Sequence, residues 1–364
     1  MTSPNAERSE PSQTSAVLWL LAVGLLCGLL GYGVRTTSSV GFTFQGSSTM
    51  DDAAWGSYDP DTLYHARRVE RAVRNHGWVQ SGDPLLAHPS ASTPIPWPPF
   101  YDLFLAALYR RAIPSKDALM EPESHPELAP LAQPERDSIE RFVASVPTVL
   151  GALTALLAAL VAAGRARRIS GQLDLDAGRD PTFGGMSTAS LVAAGIAGVS
   201  VALTFGHVRY SHLGNGDHHA FVSLLHIALL GLVVRGLDHE RIVQPFWSAT
   251  RGAIAGLIAG ALITTWTASI LWVALIQLAL VVRLLVPFRA ADGRRFSARA
   301  LPIFATSFHK AALLCVVPAV IESPFSDLTP WSLVDLSWFH LVWLSVGWLI
   351  FAPYALMPRT AATS

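Results

Sequence analysis

Charged side chains are scarce in this chain. Asp, Glu, Lys and Arg make up 14% of its 364 residues, against about a quarter in soluble domains. The two signs cancel, with 26 basic and 26 acidic groups and a net charge of +0. No excess of basic residues is left to form a face for nucleic acid, which is therefore excluded as a partner. Cysteine is nearly absent. Cys27 and Cys315 both lie inside apolar runs, so a disulfide framework is excluded and each reads as a small buried apolar residue. Apolar residues fill the space, at 51% of the chain with mean hydropathy +0.39. They are collected in runs of bilayer length. The fold class expected is an α-helical multi-pass membrane protein.

Residues 1–15 are polar and rich in Ser and Pro, and read as a disordered tail. The first apolar run, Ala16 to Val34, is long enough to cross a bilayer and reads as a signal anchor rather than a cleaved signal. A long polar region, 35–137, follows. It holds one modest apolar stretch, Phe100 to Leu108, about half a span long, which reads as a buried or interfacial helix. Further spans are expected at 138–163, 188–208 and 219–235, two within 251–288 around a turn near Thr264 to Ser269, then 302–321 and 334–357, making about eight. His309 and Lys310 fall well inside the 302–321 run. Either they face the protein interior, or that span starts later. Residues 359–364 read as a short C-terminal tail.

The short loops set the orientation. Arg165, Arg167, Arg168 and Arg179 fall in one, Arg241 and Arg251 in the next, and Arg289, Arg294, Arg295 and Arg299 in the third. With eight spans all three lie on one side, the cytoplasmic side by the positive-inside rule. The 35–137 region, the 209–218 turn and the 322–333 loop then face outward from a cell (inner) membrane.

Those outward segments carry the unusual residues. His207 to His219 reads His-Val-Arg-Tyr-Ser-His-Leu-Gly-Asn-Gly-Asp-His-His, between two apolar runs. Ionisable groups at such a boundary are functional candidates by default, and carboxylate with neutral imidazole suits a divalent cation. In Tyr58-Asp59-Pro60-Asp61, Pro60 suits a first helical turn and Asp59 its N-cap. Leu63, Ala66, Val69 and Val73 then recur at helical spacing, as in an amphipathic surface helix. Asp61 either complements that helix dipole or joins a site. The segment Pro94 to Pro99 is stiff and presents Trp97. Asp102 reads as closing a helix start, and Asp51 and Asp52 as loop residues. Glu322 directly follows an apolar run. It either caps a span at the water boundary or joins Asp61 and Asp217, which the topology places on the same face.

Taken together, Asp61-x-x-Tyr64-His65-x-Arg67, Trp97-Pro98-Pro99-x-x-Asp102 and Arg209-x-Ser211-x-x-Gly214-x-x-Asp217-His218-His219 resemble the catalytic subunit of oligosaccharyltransferases, of the single-subunit archaeal and bacterial type. The resemblance covers about residues 16–335. It implies a GT-C glycosyltransferase bundle over 16–358, with 35–137 as its long first external loop. It implies a metal-dependent enzyme that moves a glycan from a polyprenyl-(pyro)phosphate carrier to asparagine of an acceptor polypeptide, outside the membrane. Asp61, Asp217, His219 and Glu322 then correspond to the residues that hold Mg²⁺ or Mn²⁺. Asp61 and Glu322 also serve the chemistry at the acceptor. Arg67 and Arg209 are placed at substrate phosphate, and Trp97, Pro98 and Pro99 are motif positions. Arg68 either supplements the phosphate contacts or meets lipid headgroups. His218 is left as a ligand, a group behind the ligands, or a loop residue facing water.

The family also carries more spans and a soluble C-terminal domain with a Trp-Trp-Asp-Tyr-Gly motif. The sequence holds no such motif, so the expectation is a chain without that part, with a partner chain to supply it. Two alternatives stay open. One is a different GT-C enzyme passing a polyprenyl-phosphate sugar to a lipid or hydroxyl. The other is an inactive or split fragment.

Overall fold

The computed structural model describes residues 13–37, 59–74, 79, 82–83, 93–112, 133–176, 188–237, 245–286 and 300–357. Asp51, Asp52, Arg179, Arg241, the arginines of 289–299, most of the tail at 1–15 and the tail at 359–364 lie outside them. In chain order the helices are α1 (Gln13–Thr37), α2 (Pro60–Arg74), α3 (Phe100–Ala112), α4 (Gln133–Asp176), α5 (Thr188–Leu203), α6 (Phe205–Arg209), α7 (His219–Leu237), α8 (Pro245–Thr265), α9 (Ile270–Leu285), α10 (Ala300–Glu322), α11 (Phe325–Leu328) and α12 (Trp338–Leu356). A two-residue antiparallel pairing joins β1 (Gly82–Asp83) to β2 (Thr93–Pro94).

Among the described residues, seven helices are long and apolar enough to cross a membrane: α1, α4, α7, α8, α9, α10 and α12. The remaining span expected from sequence, 188–208, forms only the shorter apolar helix α5, of 16 residues, which ends at Leu203 and is not among the seven. The chain is thus an α-helical multi-pass membrane protein. A second boundary departs from expectation. α4 runs on through Asp176 and carries Arg165, Arg167 and Arg168 as helix rather than loop. Ala, Arg, Leu and Gln sustain helix well and carry it past Gly164 and Gly171, beyond where the hydrophobicity ends.

The chain divides into two compact units, residues 1–41 with 148–213, and residues 42–147 with 214–364. In the first, α1 and α5 pack through small residues. Cys27 is buried beside Ala159, Ala163 and Ala194, and a Cβ on Gly198 would meet Cys27 Sγ at 2.6 Å. Such close backbone approach is how helices associate when lipid offers no hydrophobic contrast. Arg35, at the end of α1, is fully buried. It donates to Ser211 Oγ at 2.6 Å, Gly31 O at 2.7 Å and Ala202 O at 3.2 Å.

In the second unit α8 and α10 meet along a glycine ridge. A Cβ on Gly252, Gly256 or Gly260 would meet Phe304 O at 2.2 Å, Phe308 O at 2.0 Å or Cys315 Cβ at 2.5 Å. The four-residue spacing puts all three on one helix face. His309 points inward and is fully buried, 3.0 Å from Gln277 Nε2 through its Nε2. Its neighbour Lys310 is exposed, with Nζ 5.9 Å from the Trp348 ring. The turn expected near Thr264 to Ser269 is present as a short 3-10 segment between α8 and α9.

Candidate metal centre and adjoining pocket

The site lies in the second unit, where α2 and α3 hold the 214–218 turn by its backbone. Asp59 caps α2. Its carboxylate accepts the Thr62 N–H at 3.2 Å and the Thr62 hydroxyl at 3.2 Å. The Thr62 oxygen in turn accepts the Gly216 N–H at 2.6 Å. From α3, the Tyr101 hydroxyl donates to Gly216 O at 3.0 Å. From α4, Ala144 O accepts the Gly214 N–H at 3.1 Å. Gly214 has φ 98°, which favours glycine. A Cβ on Gly216 would meet Thr62 Cγ2 at 2.5 Å and Val143 Cγ1 at 2.8 Å. The turn is therefore clamped between three helices.

What the clamp presents is Asp217. Asn215 Oδ1 accepts its backbone N–H at 3.0 Å. One carboxylate oxygen, Oδ1, accepts the His218 N–H at 2.6 Å and lies 2.7 Å from His218 Nδ1. The other, Oδ2, lies 2.5 Å from His219 Nδ1. Burial raises the Asp217 pKa, but the hydrogen bonds and charge of His218 and His219 outweigh it and hold the carboxyl well below its usual range. Asp217 is thus an ionised, buried carboxylate. Nearby, Asp59 is raised by its burial and by the charges of Asp61 and Asp217. Asp61 also lies within electrostatic reach of His219. Carboxylates that repel one another in a partly buried place are stabilised by a cation.

His65, Asp217 and His218 form a buried group whose ligand atoms lie within 4.8 Å of one another, close enough to hold a metal ion. His218 Nε2 is buried without a hydrogen-bond partner, as an imidazole nitrogen reserved for a ligand would be. His218 is 6% exposed, so it does not face water. The chemistry of the set, imidazole nitrogen with carboxylate oxygen, fits a divalent cation.

Behind this group runs a polar chain. His65 Nδ1 lies 2.7 Å from Asp102 Oδ1, and Arg68 forms an ion pair with Asp102 Oδ2 at 2.8 Å. Asp102 is fully buried. Burial raises its pKa, but Arg68 and His65 outweigh it and lower the carboxyl below its ordinary value. Arg68 is itself buried, so it is not a headgroup contact. Burial, with Asp217 and Asp102, holds the Tyr101 phenol well above its ordinary value, keeping it a donor.

Arg68 also lines a shallow open pocket, shared with Ile95, Trp97, Pro98, Pro99 and Glu322. Trp97 packs on Tyr64 with ring centroids 4.9 Å apart. The structure thus brings Asp61, Asp217 and His219 together, and puts exposed Glu322 in the pocket with the Trp97-Pro98-Pro99 segment. Arg67 is half-buried on α2; Arg209 is exposed at the end of α6, in the other unit. From sequence, Asp102 is expected to close a helix start, Arg68 to meet phosphate or headgroups, and His65 has only its motif position; nothing there joins the three. The signal for the burial of His65 and Arg68 is an ionisable residue at each of two positions one turn apart on α2, whose other buried residues are small or apolar.

No protein-family model matches the chain, and no curated protein does. Solved structures do. An oligosaccharyltransferase from Archaeoglobus fulgidus, tethered with an acceptor peptide containing the NVT sequon, is similar over 93% of this chain and 34% of that one, at 19% identity and TM-score 0.63. The fold of this chain is similar to the fold of about a third of that structure. AglB from the same organism, in complex with an inhibitory peptide and a dolichol-phosphate, matches 93% of this chain and 33% of its own, at 18% identity and TM-score 0.63. A complex of the Archaeoglobus enzyme with Zn and sulfate matches 92% and 35%, at 17% identity and TM-score 0.63. At such identities the likeness establishes the GT-C-type helical bundle. The chain spans about a third of the length of these structures.

Proposed function

We propose that this chain carries the membrane-embedded catalytic centre of a glycosyltransferase that moves a glycan from a polyprenyl-(pyro)phosphate carrier to asparagine of an acceptor polypeptide, on the extracytoplasmic face. The observation that carries the reading is the ionised Asp217, clamped on a rigid turn beside His219 and Asp61, in a bundle similar in fold to about a third of an oligosaccharyltransferase. The peptide and dolichol-phosphate bound to the neighbours make the acceptor and donor classes reasonable for this chain.

Asp61, Asp217, His219 and Glu322 are the residues that would hold a divalent cation, Mg²⁺ or Mn²⁺. Bound there, it would neutralise charge developing on the leaving phosphate. The chain's own groups do the rest. Asp61, exposed in the first turn of α2, orients the acceptor amide. Glu322 meets the acceptor from the pocket, where Trp97, Pro98 and Pro99 supply a stiff apolar wall. Arg67 takes phosphate oxygens by charge-assisted hydrogen bonds. The clamped turn keeps Asp217 preorganised, which is where such a site gains its rate.

The test is glycopeptide mass spectrometry on the host's exported proteins, comparing the parent with an Asp217→Ala strain. The reading predicts loss of glycan from Asn in Asn-x-Ser/Thr sites, with Ser-, Thr- and lipid-linked glycans unchanged. Asn-linked glycan that persists in the variant, or loss confined to hydroxyl- or lipid-linked glycan, would overturn it.

A further inference from the structure

We infer that His65 supplies a further imidazole ligand to the cation site, that Asp102 positions it, and that the resulting mixed set, with more than one imidazole beside the carboxylates, favours Mn²⁺ or Zn²⁺ over Mg²⁺. The inference rests on the cation site proposed above.

His65 follows Asp61 by four residues on α2, one turn along the same face. Its ring is 3% exposed and packs edge-on against Tyr101, with centroids 5.1 Å apart. Nδ1 sits 2.7 Å from Asp102 Oδ1. A carboxylate accepts, so the proton resides on Nδ1 and the lone pair on Nε2. Asp102 does not need His65 as a cation, because Arg68 already balances its charge at 2.8 Å.

The free nitrogen faces the site. His65 Nε2 lies 4.0 Å from Asp217 Oδ1. That is too long for a hydrogen bond. It suits two ligands of one ion, whose bonds of roughly 2.1 Å place them about 3–4 Å apart. A second imidazole points to the same conclusion, since His218 Nε2 is buried and unpartnered and belongs to the same group within 4.8 Å. Carboxylate, imidazole and metal in line is the arrangement by which proteins orient histidine ligands and raise their basicity. Imidazole donors select borderline metals, whereas Mg²⁺ keeps oxygen ligands and water.

The experiment is Mn²⁺ titration of the purified full chain in detergent, read by EPR, with pulsed EPR to detect imidazole ¹⁴N couplings. The parent, His65→Ala, His65→Gln and Asp102→Asn are compared, and thermal melting shows which variants fold. The parent is expected to show ¹⁴N coupling from more than one imidazole, and to retain Mn²⁺ against an equal concentration of Mg²⁺. The folded His65 variant is expected to lose one coupling and bind about 10–100-fold more weakly, and Asp102→Asn to weaken binding without losing a coupling. Parent binding with unchanged couplings and affinity in a folded His65 variant overturns the inference and leaves the cation site standing. No saturable binding by the parent overturns both. If neither His65 variant folds, the number of couplings in the parent alone decides, and a single coupling overturns the inference.

Discussion

The hydroxyl of Thr62 accepts the backbone N–H of Gly216 at 2.6 Å, across 154 residues of sequence. One helix capped by its own aspartate thereby fixes the turn that carries Asp217. Thr62→Val removes that acceptor and leaves a buried N–H unmet, which costs about 1–3 kcal/mol. Thermal unfolding in detergent should show a lowered melting temperature, and Mn²⁺ affinity should fall with it. Unchanged values for both would mean that the turn is held by other contacts.

Gly256 faces the backbone of α10, where a Cβ would lie 2.0 Å from Phe308 O. A backbone carbonyl cannot swing aside as a flexible side chain can. Gly256→Val should therefore separate α8 from α10 and destabilise by at least the roughly 1–3 kcal/mol of an overpacked core, read as a lower melting temperature. Ala at exposed Gly164, where a Cβ meets nothing within 4 Å, is the matched control and should melt like the parent.

Asp102 gives a pH signature. Its carboxyl is depressed below the ordinary 3.8, so the folded state holds its proton less tightly than the unfolded chain. Its contribution to stability is complete above the ordinary value and is lost as pH falls through the folded one. The gap in melting temperature between parent and Asp102→Asn should be widest near neutral pH and narrow below about pH 4. A gap independent of pH would contradict the buried ion pair with Arg68.

Much of the architecture was legible because it follows from apolar run lengths and helix punctuation. Asp59 and Pro60 announced the start of α2, and the long 251–288 run resolved into α8 and α9. The Asp217 turn stood out as charge between two apolar runs. The buried side of α2 was less legible. Leu63, expected on its apolar face, is 49% exposed, while His65 and Arg68 are buried. Hydropathy ranks side chains singly, and these two are buried only because Asp102 pairs with both. Asp102 itself, in the first turn of α3, had a sufficient local explanation in the helix dipole. Partners 37 residues apart across a polar region leave no periodic trace.

The measurement that tests the account most directly is Mn²⁺ titration by EPR on the purified chain, with Asp217→Ala and Glu322→Ala beside it. The account predicts saturable binding by the parent that both variants weaken, with Asp217→Ala the more severe. A parent that binds no Mn²⁺, or variants that bind as the parent does, would contradict it.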